Sequence, residues 1–580
     1  MATGERIHAA AELHVAVMTV THAGRRSPWA SVAISFILVG MALRLVSYLS
    51  EGQLYVDDAR LALNIATRSL GQLMRPLDYS QVTPIPFLWI ERLAIRLGGV
   101  NEYALRTPPL LASLVVLALL WSVGRRALGE RPAAVATCLG ALSSFLVDFS
   151  GSVKQYGTDA LVTMLLIPLV LDVLDGGDDA AWGRLAAGGA AAEWISQPAV
   201  FVLAGAALAL PASTAVRSAP RWVRRYGLTA IVWASAFAVI YFFFYRMPER
   251  DPYLKSFWDW TFLTPGMRDL GGRVWRAARA ILVPPLAWPS GMLLGTPLVL
   301  GGLTTTGFLV GLAAIRRSRG ASLALLCGGP YAAALGAAAV GKYPMAGRFL
   351  LFAAPLALFV YASAVCWAAD AMPPRARTPA LATAVGLLTL LLYPPALEEA
   401  SHPMRRRETK VVLDTMDARA PDAPVYLFSS AQWHDGSVWV FNTTDWRAPD
   451  TARLRRFGEI WNAGIAARFA GAPPADVAAI SSRVRGREEL IGVGARIQYV
   501  AEGIARSPEP ASAWVESESE RIRRAAHPTA WVWANELYPE SAIADLLRGI
   551  RLRGGRLIFA QRMLGATAWE VRFPEELRPR

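Results

Sequence analysis

The sequence predicts a polytopic α-helical membrane domain followed by a soluble α/β domain. Two observations lead there. Of the 580 residues 54% are hydrophobic and only 18% charged, with a mean hydropathy of +0.32, whereas soluble globular chains carry about 25% charged residues. The deficit is also uneven. From about 28 to 396 apolar runs alternate with short polar breaks, and from about 397 to 580 the chain is rich in Arg, Asp and Glu. The predicted organisation is a cytoplasmic tail over 1–27, a membrane domain over 28–396 with a large outer loop at about 50–106, and an extracytoplasmic domain over 397–580.

A span needs about 20 apolar residues. Eleven candidates follow in order: about 28–49, 107–124, 133–149, 158–174, 185–194, 198–212, 227–245, 293–315, 322–340, 348–368 and 380–396. Residues 1–27 are polar and lead into a run of span length, which predicts an uncleaved first span rather than a secretory signal. The pair at 185–212 is interrupted by Glu193-Trp-Ile-Ser-Gln-Pro198, so it reads as two spans or as one broken helix. Positive charge decides. With eleven spans and Arg25 and Arg26 inside, every inner loop is basic, including Arg125, Arg126, Arg131, Arg184, Arg221 to Arg225, Arg316 to Arg319, Arg375 and Arg377. Merging 185–212 would place the Arg221–Arg225 cluster outside. The same distribution accounts for the net charge of +14 and argues against nucleic acid as a partner, because the arginines are scattered over short loops. Cys138, Cys327 and Cys366 all lie in apolar runs, so no disulfide framework is expected.

The outer segments hold the residues that can carry chemistry. The first opens on Tyr55-Val-Asp57-Asp58-Ala59-Arg60, and adjacent carboxylates at a membrane surface are costly if buried without partners. Ala59, Ala62, Ala66, Leu70 and Leu73 then recur at helical spacing, with Arg60, Asn64 and Arg68 on another face, which predicts an interfacial helix. Asp57 and Asp58 would serve equally as its N-terminal acidic turn. Asp78-Tyr-Ser-Gln81-Val-Thr83-Pro84-Ile85-Pro86 predicts a fixed turn before a second helix, since two prolines so placed cannot sit mid-helix. Val153-Lys154-Gln155-Tyr156-Gly157-Thr158-Asp159 and Gly341-Lys342-Tyr-Pro-Met-Ala-Gly347-Arg348-Phe349 bring cations to the same membrane face. Lys154 and Tyr156 could also be simple interface anchors. There is no phosphate-binding Gly-rich loop ending in Lys-Ser or Lys-Thr and no HExxH, so neither an ATP motor nor that zinc chemistry is indicated. His434-Asp435 reads as a solvated surface pair, and Asn442-Thr-Thr444 as a chance sequon.

In the last part, 424–428, 529–533, 556–560 and 566–573 read as strands. Ser541–Arg551 reads as an amphipathic helix through Ile543, Leu546, Leu547 and Ile550, ended by Gly554-Gly555. Such alternation predicts a layered α/β domain.

Taken together, Asp57-Asp58-Ala59-Arg60 after the first span, Thr83-Pro84-Ile85-Pro86, Asn101-Glu-Tyr-Ala-Leu-Arg106, Lys154-Gln-Tyr-Gly-Thr-Asp159 and Gly347-Arg348-Phe349 resemble the GT-C superfamily of membrane glycosyltransferases, over about 50–370. The branch resembled includes lipopolysaccharide-core glycosyltransferases, protein O-mannosyltransferases and the lipid A aminoarabinose transferase. The departures are Asp58 where relatives often carry Glu, Pro-Ile-Pro in place of adjacent prolines, and no clear metal-binding His between 250 and 290, which leaves a divalent cation open. The resemblance implies transfer of a sugar from a polyprenyl-phosphate donor, at the lipid bilayer, to an extracytoplasmic acceptor. It implies Asp57 as general base with Asp58 beside it, and inversion at the anomeric carbon. Lys154, Arg348, Arg60 and Lys342 become candidate phosphate ligands, and Gln81, Tyr156 and Asp159 candidate substrate contacts. Two other readings stand beside it. A transporter or flippase of a lipid-linked sugar should show repeated halves with matching broken spans, and no such repeat is visible. A non-catalytic scaffold would make Asp57 dispensable.

Overall fold

The computed structural model describes residues 27–50, most of 56–282, residues 297–402 and, in the last part, stretches between 409 and 574. Arg25, Arg26, Tyr55 and His434-Asp435 lie outside the described residues.

Each of the eleven predicted segments carries a helix. In order these are α1 (Pro28–Ser50), α4 (Glu102–Leu128), α5 (Glu130–Leu142), α6 (Tyr156–Leu174), α7 (Asp179–Ile195), α8 (Ala199–Ala212), α9 (Trp222–Ile240), α11 (Pro297–Arg319), α12 (Ala321–Ala339), α13 (Ala354–Asp370) and α14 (Pro374–Ser401). Between them stand α2 (Val56–Thr67) and α3 (Ile85–Gly98) in the first large loop, and α10 (Leu270–Leu282) in the second. Among the described residues seven helices are long and apolar enough to cross a membrane, and Ala199–Ala212 is a shorter apolar helix. One apolar cluster runs through the bundle from Leu43 to Ala400.

Polar contacts sort the helix ends into two sets. At one end Arg126 pairs with Asp172 at 2.7 Å and Asp175 at 2.8 Å, Arg131 with Asp370 at 2.9 Å, Arg184 with Asp172 at 3.6 Å and Arg225 with Asp179 at 2.6 Å. Arg319 donates to the Leu128 carbonyl at 2.7 Å, and Ser27 donates to Glu130. This basic end gathers the starts of α1, α5, α7 and α9 with the finishes of α4, α6, α11 and α13. The opposite end gathers Tyr48, Tyr103, Lys154, Ser196, Tyr245 and Arg348. Neighbouring passes therefore alternate in direction. The break at Ser196-Gln-Pro198 divides α7 and α8 into two opposed passes, because Asp179 lies at the basic end beside Arg225 and Ser196 at the other beside Asp159.

Close helix approaches use small residues, as membrane bundles require. A Cβ built on Gly329 would stand 2.7 Å from Gly205 Cα, and one on Gly205 would stand 2.6 Å from Pro330 Cδ. Arg44 is buried inside α1 and is satisfied by the Ser113 hydroxyl at 2.7 Å and the carbonyls of Gly40 and Gly140 at 3.0 Å. Cys138, Cys327 and Cys366 are free and buried.

The last part holds a five-stranded mixed sheet, in the order β2 (Ile497–Tyr499), β1 (Val425–Phe428), β3 (Thr529–Asn535), β5 (Ala566–Arg572), β4 (Arg556–Met563). β1 is parallel to β2 and β3, and β5 is antiparallel to β3 and β4. Period-two alternation sends Tyr426, Val532 and Ala534 to one face, under Ile543, Leu546 and Ile550 of α16 (Glu540–Leu552). It sends Val425, Trp531 and Trp533 to the other face, under Val412 and Met416 of α15 (Thr409–Arg419).

Candidate functional site

The first large loop is where the bundle's polar end is built. α2 begins with Asp57 and Asp58 in its first turn, where the helix dipole favours negative charge. The polar face of this predicted interfacial helix is buried in protein: Arg60 and Asn64 are each 1% exposed. Asn64 donates to the Asp78 carbonyl at 3.2 Å and accepts from the Asp78 N–H at 2.9 Å. Leu70 falls outside α2 and is exposed, while Leu73 is buried in the short turn Gln72–Met74. Thr83-Pro84 ends the loop as expected, with Pro84 capping α3 and Pro86 in its first turn.

Asp57 sits at the centre. Its Oδ2 accepts from Arg348 at 3.2 Å, and its Oδ1 lies 3.9 Å from Arg60. Its side chain is one-quarter exposed, so it opens to the surface. The Arg348 guanidinium lies over the Trp258 ring at 4.8 Å and the Phe349 ring at 5.6 Å, which fixes its plane and supports its charge. Tyr156 stands against Phe349 at 6.2 Å and Phe149 at 5.3 Å, so it belongs to the aromatic wall behind Arg348. Asp58 points inward, 2% exposed, and accepts from Ser152 at 3.1 Å.

Lys154 is 8% exposed and donates to Gln81 Oε1. Burial lowers its ammonium to about 8. Asp57 and Asp58 oppose that shift, and Arg348 and Arg60 add to it. Three segments distant in sequence thus bring Asp57, Asp58, Arg60, Lys154, Gln81 and Arg348 together. Asp159 instead lies 4% exposed in a neighbouring group with the buried Ser196 and the half-buried Tyr245 and Tyr343. Lys342 is exposed on the turn after α12, its N–H donating to the Ala337 carbonyl at 2.8 Å.

Several contributors escaped sequence reasoning. Ser152 has no motif to mark it. Glu91 on α3 is fully buried, with both oxygens lacking a hydrogen-bond partner among the described residues. Burial first, and Asp58 second, raise its carboxyl well above the ordinary range. Arg106, part of a quoted motif, is 1% exposed and donates to the Gly151 carbonyl at 3.0 Å, which ties α4 to the segment carrying Ser152 and Lys154.

A cavity of about 260 Å³ adjoins this cluster, walled by Arg75, Ser80, Gln81 and Thr83 on one side and Trp194, Phe244 and Tyr245 on the other. Among the described residues no three of His, Cys, Asp and Glu gather as metal ligands. Chemically, the arrangement offers a carboxylate that is open to solvent, several fixed cations, and an apolar and aromatic cavity beside them.

Residues 82–245 match the family model described as dolichyl-phosphate-mannose-protein mannosyltransferase. That span takes in Thr83–Pro86, Arg106, Lys154 and Asp159, so the resemblance to GT-C membrane glycosyltransferases holds there. No curated protein sequence matches the chain. Among solved structures it is similar to ArnT from Cupriavidus metallidurans in the apo state, with a TM-score of 0.43 and 15% identity over 96% of this chain and 100% of that one. ArnT bound to undecaprenyl phosphate gives 0.44 and 14% over 94% and 99%. The Archaeoglobus fulgidus oligosaccharyltransferase gives 0.42 and 14% over 72% of this chain and 63% of that one.

Proposed function

We propose that this protein is a membrane glycosyltransferase that moves a sugar from a polyprenyl-phosphate donor to an acceptor outside the cytoplasm. The observation that carries the reading is the Asp57 carboxylate, 3.2 Å from Arg348 and 3.9 Å from Arg60, with the buried Lys154 beside it. Such a transfer needs one base and a seat for phosphate. Asp57 takes the proton of the acceptor hydroxyl or amine as that atom attacks the anomeric carbon. The bond from that carbon to the phosphate oxygen breaks, and the phosphate leaves with its electron pair. Arg348, Lys154 and Arg60 meet the developing charge, with Lys342 a further cation on the same face. Displacement from the far side inverts the anomeric centre. Asp58, held by Ser152, orients the start of α2 and the acceptor. Gln81 lines the cavity and holds Lys154, Tyr156 backs the phosphate seat, and Asp159 reaches the sugar from the neighbouring group.

The same reading places the chain in the cell inner membrane as a multi-pass protein. Its N-terminus and basic end are cytoplasmic, and its acid-pair end and sheet domain are outside. Lipid bilayer, donor and acceptor are then its partners. The test is transfer by the purified protein from a panel of radiolabelled polyprenyl-phosphate sugars to membrane extracts. Labelled product is expected. Donor binding and movement across vesicles without any product would replace this reading with a lipid-linked-sugar transporter.

A further inference from the structure

The C-terminal region touches the loop that carries the site. Val440, Phe441 and Leu454 share one apolar cluster with Leu61, Leu73, Tyr79 and Phe87 of the first loop. Leu454, Gly458 and Asn462 are helical residues spaced by four, so they lie on one face. Gly458 seats that face, because a Cβ there would stand 2.8 Å from Asp78 Cγ and Oδ2.

Asn462 then makes two hydrogen bonds to adjacent residues. Its Nδ2 donates to Asp78 Oδ1 at 2.9 Å, and its Oδ1 accepts from the Tyr79 N–H at 2.9 Å. The other Asp78 oxygen is held by Arg68 at 2.7 Å. What this clamp holds is a turn that needs holding, since Tyr79 and Ser80 both have positive φ, 64° and 50°, without being glycine. The next residue is Gln81. Its Nε2 donates to the Tyr79 carbonyl at 3.1 Å, and its Oε1 accepts from Lys154. An unbroken line of hydrogen bonds therefore runs from Asn462 through the turn and Gln81 to the ammonium beside Asp57.

We propose that the C-terminal region is a working part of the phosphate site: Asn462 is a positioning residue that sets the Asp78–Ser80 turn, and through it the Gln81 oxygen that aims Lys154. This rests on the donor reading above. It also assigns a partner surface within the chain, with the sheet domain's docking coupled to donor affinity.

The experiment is a double-mutant cycle on the purified full chain, with undecaprenyl phosphate as the probe and melting temperature and gel filtration as the check on folding. Asn462→Ala and Gln81→Ala are each expected to weaken binding about tenfold, and the double variant to bind no more weakly than Gln81→Ala alone. A merely structural contact would lower the melting temperature and leave affinity unchanged. Affinity equal to the unaltered chain in Asn462→Ala overturns the proposal, as do losses that multiply in the double variant. Should Asn462→Ala not fold, Gly458→Ala takes its place in the same cycle with the same two outcomes. An unaltered chain that does not bind undecaprenyl phosphate overturns the donor reading itself, and this proposal with it, whereas binding that ignores Asn462 overturns only the latter.

Discussion

Two adjacent carboxylates in one helical turn have different surroundings: Asp57 opens to the surface between two guanidinium groups, while Asp58 is buried against Ser152 and beside Glu91. The pair was legible in the sequence, and the resemblance already implied Asp57 as base with Asp58 beside it, but their unequal burial was not legible. It depends on which way one turn faces, and on Ser152 and Glu91, which no spacing rule connects to Asp58. Lys154 gives the sharpest test at this scale. Its ammonium lies at about 8, lowered by burial, so its proton is lost in the fold earlier than in an unfolded chain. Between about 8 and the ordinary lysine value the unfolded chain binds more protons. The group's contribution to stability therefore rises with pH in that window, and its cost is fully felt below it. On the proposed donor reading function runs the opposite way, because a phosphate seat needs the charged form. Affinity for undecaprenyl phosphate should fall about tenfold per unit as pH rises above about 8. Lys154→Arg, with a cation that does not titrate there, should flatten that fall. A profile identical in both proteins would remove Lys154 from the phosphate seat.

At the scale of elements, helices were read well where apolarity runs long. The interrupted pair α7 and α8 was resolved by charge alone, through Arg221 to Arg225, and the Asp179–Arg225 pair agrees with it. The first loop was read less well. Spacing places Asn64 on the polar face of its helix, yet its partner is a backbone turn fourteen residues on. Long-range partners of this kind leave no trace in local periodicity, which is also why Asn462 was invisible. Packing between passes supplies an independent prediction. Gly329 meets the Gly205 backbone, and a side chain there has no flexible neighbour to displace. Gly329→Val should lower the melting temperature in detergent, costing about 1–3 kcal/mol by overpacking. Gly328→Ala, whose Cβ would meet Leu312 only at 3.4 Å, should be close to neutral. Equal effects would show that the α8–α12 approach is looser than described.

At the scale of the whole molecule, the division into a basic end and an acid-pair end orders the account. Composition showed the two parts of the chain, and the sheet followed from strand alternation, apart from the short β2, whose three residues carry too little pattern to be read. The orientation across the bilayer is open to direct test. Lys342 and Ser218 are both exposed, at opposite ends of the bundle. In a background with the three native cysteines replaced, Lys342→Cys should react with an impermeant maleimide from the outside of intact spheroplasts, and Ser218→Cys only after permeabilisation. The reverse pattern would invert the topology and move the acid pair to the cytoplasm.

The central claim is that Asp57 is the base of a sugar transfer. The measurement that tests it most directly compares transfer from the donor accepted by the unaltered protein with transfer by Asp57→Asn, in protein that remains folded and still binds undecaprenyl phosphate. Loss of turnover by about 10²-fold or more, with binding retained, is the predicted result. Turnover equal to that of the unaltered protein would contradict it and leave Asp57 as only the acidic first turn of α2.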